Sequence, residues 1–542
     1  MIVGSGINSL VCAALLGRNG MSVTVLEQAG ELGGAVRTGE ITLPGFRHDL
    51  YSAWHPLFVA SNAYAELSSD LARHGLSYRC AEAVTATAFP DHSSRLLTRD
   101  RTANVAELDA EGGRDGASYQ MDREDFDRFG AAALGLLGTE VLGWGGARFA
   151  LDSLRRHGRR QSAALLASLV ESTRSWVGRA FNDPATGGLF APWVLHTGLG
   201  PDSSGSGFMS RAIVGLLEGF GLPVPEGGAS HLVDALVGLV GEQGGLCRTG
   251  AEVEAVLVRR GRARGVRLVG GEVVEAGRAV VCNVPPPALY GRLLADAPLP
   301  AWARQAASHF RFGRAGMQLH YALSSPPRWL GDERLASVPI VHLTGGLDAV
   351  ARAVGEAERG LLPAEATIVC GQPCVVDPGR APEGASILWV QLQELPRRPV
   401  GDAAGELAVD DGWDESLRER YADRIERRIA HQLEGFYSQV LARRVLSPAD
   451  LEAANPNLVG GDIYSGACDL DQGLFFRPRP ELNGHQTPIK GCYEIGASTH
   501  PGPGLGAGSG TIVARHLLRA RRPGGLPGPA SRLVGRARAS AS

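Results

Sequence analysis

The sequence predicts an α/β protein, a Rossmann-type nucleotide-binding domain with an inserted α+β domain. Three observations carry this. A glycine-rich turn, Gly4-Ser5-Gly6-Ile7-Asn8-Ser9, lies between a short apolar strand and a helix at the amino end. A second glycine-rich stretch, 496–510, lies between another short strand and a helix at the carboxyl end. The long middle is mostly helical at first, then carries alternating strands that do not continue the strand–turn–helix pattern.

In chain order, Met1–Val3 begins a strand, Gly4–Ser9 turns, Leu10–Asn19 is helical and Ser22–Glu27 is a second strand. Leu10, Val11, Ala14 and Leu15, with the small Ala13 and Gly17, make a helix face suited to lying on a sheet. Only three residues precede Gly4. The usual strand is about five or six residues, so this one is clipped or starts upstream. Met1 directly before the motif leaves no room for a signal or transit peptide. Residues from about 64 to 221 read as mostly helical, with Ser162–Arg174 and Ser210–Gly219 as examples. The stretch Ala131–Leu151, broken by Glu140 and Arg148, reads as a buried helix pair. His231–Gly241 is helical, and strands follow at Ala251–Arg259, Ala263–Val269 and Arg278–Asn283. Met317–Leu323 and Ser386–Leu392 alternate as strands, and Glu415–Leu433 is a long charged helix. Residues 1–63, 225–300 and 455–520 are assigned to the nucleotide-binding domain, 64–224 and 301–454 to the substrate domain, and 521–542 to a flexible basic tail.

Composition excludes several classes. The 54 basic residues are balanced by 57 acidic ones, which gives no case for nucleic acid. No stretch approaches the roughly 18 uninterrupted apolar residues of a membrane span. The eight cysteines are scattered; Cys370 and Cys374 lack the second pair or nearby histidines that a metal site needs, so no metal is expected. Reduced thiols fit a cytoplasmic location, and peripheral contact with a membrane is compatible with it.

The chemistry lies at the two ends. Gly4 permits the turn out of the strand, and Gly6, with no Cβ, lets the backbone approach a pyrophosphate at the positive end of the following helix. Ser9 stands where a third glycine is usual and needs only to be small. Glu27, at the end of the second strand, can accept hydrogen bonds from an adenosine ribose. The pair Gly33-Gly34, with Arg37 and Thr38 after it, is an extension a nicotinamide enzyme does not need, and points to FAD. At the other end, Cys492–Ile495 leads through the 496–510 loop into the helix Thr511–Arg519. No further strand or ribose acid follows, so this loop reads as a wrap over one end of a cofactor already bound, with the helix amino terminus facing the flavin.

The order GSGINSLVCAALL, VLE, GGAVRT, LPGFRHDLYSAWHPL, then RTGAEVEAVLV, GVRL and AVVCN, and finally TPIKGCYEIGASTHPGPGLGAGSG, resembles the phytoene desaturase-like flavoproteins over nearly the whole chain. The resemblance implies an FAD fold with a discontinuous second domain and an apolar substrate cavity over the flavin. It implies that Gly4, Gly6, Ile7, Asn8 and Ser9, with Glu27, Gln28, Gly33, Gly34, Ala35 and Arg37, hold the ADP half. Val253 would lie against the adenosine and Asn283 beside the turn. Gly496, Ala497, Ser498, Pro503, Gly504, Gly506 and Ala507 would meet the isoalloxazine. Ser9 in place of glycine and Ala35-Val36-Arg37 after the glycine pair are departures from the common pattern.

The expected activity is dehydrogenation of an apolar, isoprenoid- or polyene-like small molecule, with oxygen or a quinone as acceptor. Two alternatives stand beside it: a flavin oxidase acting on an amine or specialised metabolite, and a flavoprotein with a regulatory interaction role. Candidate proton handlers are His48, Asp49, His55, His485 and His500, of which His500, inside the closing loop, is the catalytic choice. Trp54, Tyr51 and Phe475-Phe476 are candidate aromatic neighbours of the flavin.

Overall fold

The computed structural model describes residues 1–110, 114–136, 144–410 and 412–519. A five-stranded parallel sheet runs in the spatial order Cys492–Glu494, Val280–Cys282, Ile2–Val3, Thr24–Leu26, Leu246–Arg248. Taken along the chain this is the doubly wound order, and it reverses between Ile2–Val3 and Val280–Cys282. Every residue of these two strands is buried, as a parallel sheet covered on both faces requires.

The opening helix runs Ile7–Arg18, starting earlier than Leu10, because the Gly6 carbonyl already accepts from the Ser9 and Leu10 amides. It packs between the helices Ser230–Glu242 and Gly508–Arg519. Its approach to the closing helix is backbone on backbone: a Cβ on Gly510 would stand 1.9 Å from the Asn8 carbonyl oxygen. Asn8 Oδ1 also accepts from Ser509 Oγ at 2.7 Å and from the Gly510 amide at 3.3 Å, joining the two ends of the chain. The helix Asn62–Arg73 buries Leu67 and Leu71 in this same core, so the segment just past the expected boundary at 63 packs with the nucleotide-binding sheet.

The second sheet has seven strands, in the order Val440–Leu446, Ala315–Leu323, Ser386–Leu395, Ile368–Gly371, Ile340–Leu343, Ala83–Ala88, Ser94–Thr98. All neighbours are antiparallel except Ile340–Leu343 with Ala83–Ala88. Residues 64–221 are mostly helical, as expected, with these last two strands set among the helices. The helix Glu415–Gln432 covers one face with Leu417, Tyr421, Ile425 and Ile429, each four residues from the last. The helices Pro184–Leu195 and Ser206–Phe220 lie over the other. The expected helix Ser162–Arg174 is divided: one helix ends at Val170, and Ser172 Oγ accepts from the Ser175 amide to start Thr173–Ala180. The reading of 131–151 as a buried helix pair falls largely on side chains outside the described residues, as does the tail 521–542. Among the described residues no helix is long and apolar enough to cross a membrane.

A buried ionic cluster joins the two parts. Arg380, fully buried, donates to Asp49 Oδ2 at 2.6 Å, Asp377 Oδ2 at 2.8 Å and the Pro225 carbonyl at 2.8 Å. The other Asp49 oxygen accepts from Thr38 Oγ1 and the Ala229 amide. His48, beside Asp49 in sequence, bonds Thr42 Oγ1 and stands edge-on to His320.

Burial, with a smaller contribution from neighbouring His48, pushes His320 down to about 3. Its folded value lies below the unfolded one, so between about pH 3 and 6.5 the unfolded chain binds the extra proton and stability rises with pH. His320→Leu removes this liability. Its stability relative to the parent is expected to climb as pH falls from 7 to 5, by up to about 1.4 kcal/mol per pH unit, and the melting temperature with it. A difference independent of pH in thermal melts would show that His320 is not held neutral by burial.

Candidate functional site

The amino-terminal turn sits at the sheet's switch point. Gly4 and Gly6 follow Val3, and Asn283 follows Cys282, at the carboxyl ends of the two strands that flank the reversal. Ligands of open α/β sheets bind in this crevice. Glu27 is locked to the turn: Ser5 donates to its Oε2 through both N and Oγ, at 2.8 and 2.7 Å, and the Ala29 amide donates to Oε1. The Gly33 amide donates in turn to Ser5 Oγ. Gly34, at φ +62, lies so close that its Cβ would be 3.2 Å from Gly6 Cα. The result is bare backbone at a helix amino terminus that no side chain caps. Arg37 keeps a buried Nε with no hydrogen-bond partner, and its nearest carboxylate, Glu31, is 3.9 Å away. Exposed backbone, helix dipole and an unmatched guanidinium together suit a diphosphate.

Several expected contact residues are used internally. Ser9 is fully buried and its Oγ accepts from Asn283 Nδ2 at 2.9 Å. Asn283 also fills the space beside Gly496, where a Cβ would meet its Oδ1 at 2.2 Å. Asn8 is committed to the closing helix, whose first turn is thereby partly satisfied within the protein. Ile7 and Val253 are buried apolar residues and Gln28 is exposed. The Gly496 amide donates to Ser509 Oγ, the Ala497 carbonyl accepts from Arg477 Nε, and Ser498 is buried. Ala507 is buried at φ +53, and the Gly506 Cβ position faces Leu57.

Ala35, Pro503 and Gly504 reach a cavity of about 620 Å³ between the closing loop and the seven-stranded sheet. Trp54, Trp193 and Trp389 line it with Leu199, Leu222 and Ile340. Tyr51 lines it too, whereas the Phe475-Phe476 pair is not on its wall. The loop side is organised by Arg477, whose guanidinium donates to the carbonyls of Ala497, Ala467, Tyr464, Ser465 and Gly466.

Of the candidate proton handlers only His55 lines this cavity. Its Nδ1 meets the Tyr78 hydroxyl at 3.0 Å, and burial followed by the nearby Arg380 charge pushes it down to about 3. His500 is buried away from the cavity wall with Nδ1 against the Leu474 carbonyl at 3.0 Å, and its own carbonyl meets His485 Nε2. That bonding orients the loop and brings the ring to no open face, so His500 is not carried forward as the catalytic group. His485 is buried as well.

Sequence reasoning missed the floor of the cavity: Gln318, Gln391 and Gln393, with His196. The signal was present as the alternation Trp389, Gln391, Gln393 along one strand.

A family model described as flavin containing amine oxidoreductase matches residues 10–390, more than half of the chain. Pyridine nucleotide-disulfide oxidoreductase domain-containing protein 2 of Mus musculus is 27% identical, over 96% of this chain and 93% of the relative. The zeta-carotene-forming phytoene desaturase of Myxococcus xanthus is 26% identical, over 93% of this chain and 90% of its own. Among solved structures, a triple mutant of putrescine oxidase superposes with a TM-score of 0.60 at 17% identity, covering 96% of this chain and 98% of that one, a likeness of fold.

Proposed function

The chain belongs to the flavin containing amine oxidoreductase family and is an FAD-dependent oxidoreductase; from that premise we propose that it dehydrogenates a neutral, mostly apolar organic molecule. The observation that carries this is the cavity wall. Three indoles and a set of aliphatic side chains line about 620 Å³, and the only carboxylate on it among the described residues, Asp127, is paired with Arg101 at 2.9 Å. An apolar molecule entering such a space gains about 25 cal/mol for each Å² it removes from water.

The roles of the chain's own residues follow from their positions. Gly4, Gly6 and Gly34 offer backbone to the diphosphate, Arg37 a matching charge, and Glu27 acceptor capacity for the ribose. Asn283 braces the turn through Ser9 Oγ, and Asn8 ties it to the closing helix. When bound, the flavin supplies a hydride acceptor at N5. The tryptophans and the closing loop exclude water and orient the C–H bond to be broken. His55 and His196 stay neutral at physiological pH, burial being the first cause for both, so neither brings positive charge to the chamber.

The test is anaerobic mixing of the holoenzyme with neutral isoprenoids and with primary amines of matched length, following loss of flavin absorbance. Bleaching by the neutral series alone is the expected result. Bleaching by amines alone would overturn the proposal in favour of amine oxidation. The acceptor class, oxygen or a quinone, is read by mixing reduced holoenzyme with each.

A further inference from the structure

We infer that the substrate carries one neutral hydrogen-bond-donating group, a hydroxyl on an otherwise apolar skeleton, and that the carboxamide oxygen of Gln318 receives its proton. This rests on the functional reading above and narrows it to a substrate class.

The strand Ser386–Leu395 puts Trp389, Gln391 and Gln393 on one face by its two-residue period. Gln318, on Ala315–Leu323, stands directly opposite Gln391 in the antiparallel ladder. Three carboxamides therefore gather in one patch of an otherwise aromatic and aliphatic wall. The nitrogens of Gln318 and Gln393 are occupied. Gln318 Nε2 donates to the Tyr51 carbonyl at 3.0 Å, a partner that can only accept, which fixes Oε1 as the free end. Gln393 Nε2 donates to Gln391 Oε1 at 2.9 Å and to His196 Nδ1 at 3.2 Å. His196 then carries its proton on Nε2, which faces His342 Nε2 at 3.1 Å, so a chain of neutral donors and acceptors holds the amide in place.

Two acceptors are left over. Gln318 Oε1 and Gln393 Oε1 are buried and accept no hydrogen bond. Each unmet carbonyl of this kind costs about 1–3 kcal/mol. Two of them on one patch leave a place for a donor.

The sign of the surroundings selects which donor. Besides the exposed, paired Asp127, the charged group on the wall is the Arg477 guanidinium. An ammonium would meet a like charge and no counter-ion, and a desolvated cation in that position is expensive. A hydroxyl donates to Gln318 Oε1 without that cost.

The experiment measures binding of four probes to the purified holoenzyme by quenching of tryptophan fluorescence: decan-1-ol, decyl methyl ether, decane and decylamine. Decan-1-ol is expected to bind at least about tenfold more tightly than decane or the ether, the worth of one satisfied hydrogen bond. Gln318→Met is expected to abolish that advantage while leaving decane affinity unchanged. Gln393→Glu, close in shape but anionic, is expected to turn the preference toward decylamine. Equal binding of the three neutral probes overturns the hydroxyl assignment and leaves the apolar chamber standing. So does persistence of the alcohol's advantage in Gln318→Met. Tightest binding of decylamine by the parent protein overturns it in favour of a cation. If none of the four binds, the apolar-chamber reading fails as well.

Discussion

A Gly34→Val protein is expected to purify folded but almost colourless, with its flavin-to-protein absorbance ratio at least about tenfold below the parent's. Two effects combine. Gly34 sits at φ +62, where a side chain adds about 1–2 kcal/mol of steric strain, and a β-branched one is worse. The new Cβ would also stand 3.2 Å from Gly6 Cα and 3.7 Å from Gly6 N. Relief requires the two glycine turns to part, and their close approach is what leaves backbone open for a diphosphate. The seven-stranded sheet and its Glu415–Gln432 helix lie in a different core and should keep their melting transition. Full flavin retention by the valine variant would remove Gly34 from the cradle.

Arg380→Met is expected to destabilise the protein by about 3–5 kcal/mol, because it strands the Asp49 and Asp377 carboxylates in a site with no water. With an unfolding entropy of about 2.1 cal/mol/K per residue, a chain of this length would lose about 3–4 °C in Tm. The triple change Arg380→Met, Asp49→Asn, Asp377→Asn should recover part of the loss, since amides tolerate burial better than unpaired charges. A single variant melting within about 1 °C of the parent would mean the cluster does not hold the seam. The same cluster supports the cavity, because Trp389 Nε1 donates to the Asp49 carbonyl at 2.9 Å.

Legibility in the sequence followed the range of the interactions. The turn at Gly4–Ser9, the acid at Glu27 and the closing glycines are local patterns, so the α/β class and the flavin were readable from them. The strands Ala83–Ala88 and Ser94–Thr98 were not, because alanine and leucine satisfy a helical pattern as readily, and the strand that joins Ala83–Ala88 to the sheet, Ile340–Leu343, is some 250 residues away. The glutamine patch needed the register that sets Gln318 against Gln391, and a helix end that delivers His196. His500 misled for the opposite reason. Its place in the loop was correct, but a side chain's direction is decided by its partners, here the Leu474 carbonyl.

The parallel sheet has a consequence for biosynthesis. Its strands enter at residues 2, 24, 246, 280 and 492, and the Asn8 contact waits for Ser509 and Gly510. A ribosome releases the chain from one end, so the first strand gains its second neighbour only at residue 280, and its apolar helix lacks the closing helix until residues 509 and 510 have emerged. Pairings so distant in sequence form slowly once available. Flavin capture therefore belongs after translation, and during synthesis the amino-terminal segment is the part of the nascent chain most in need of a chaperone.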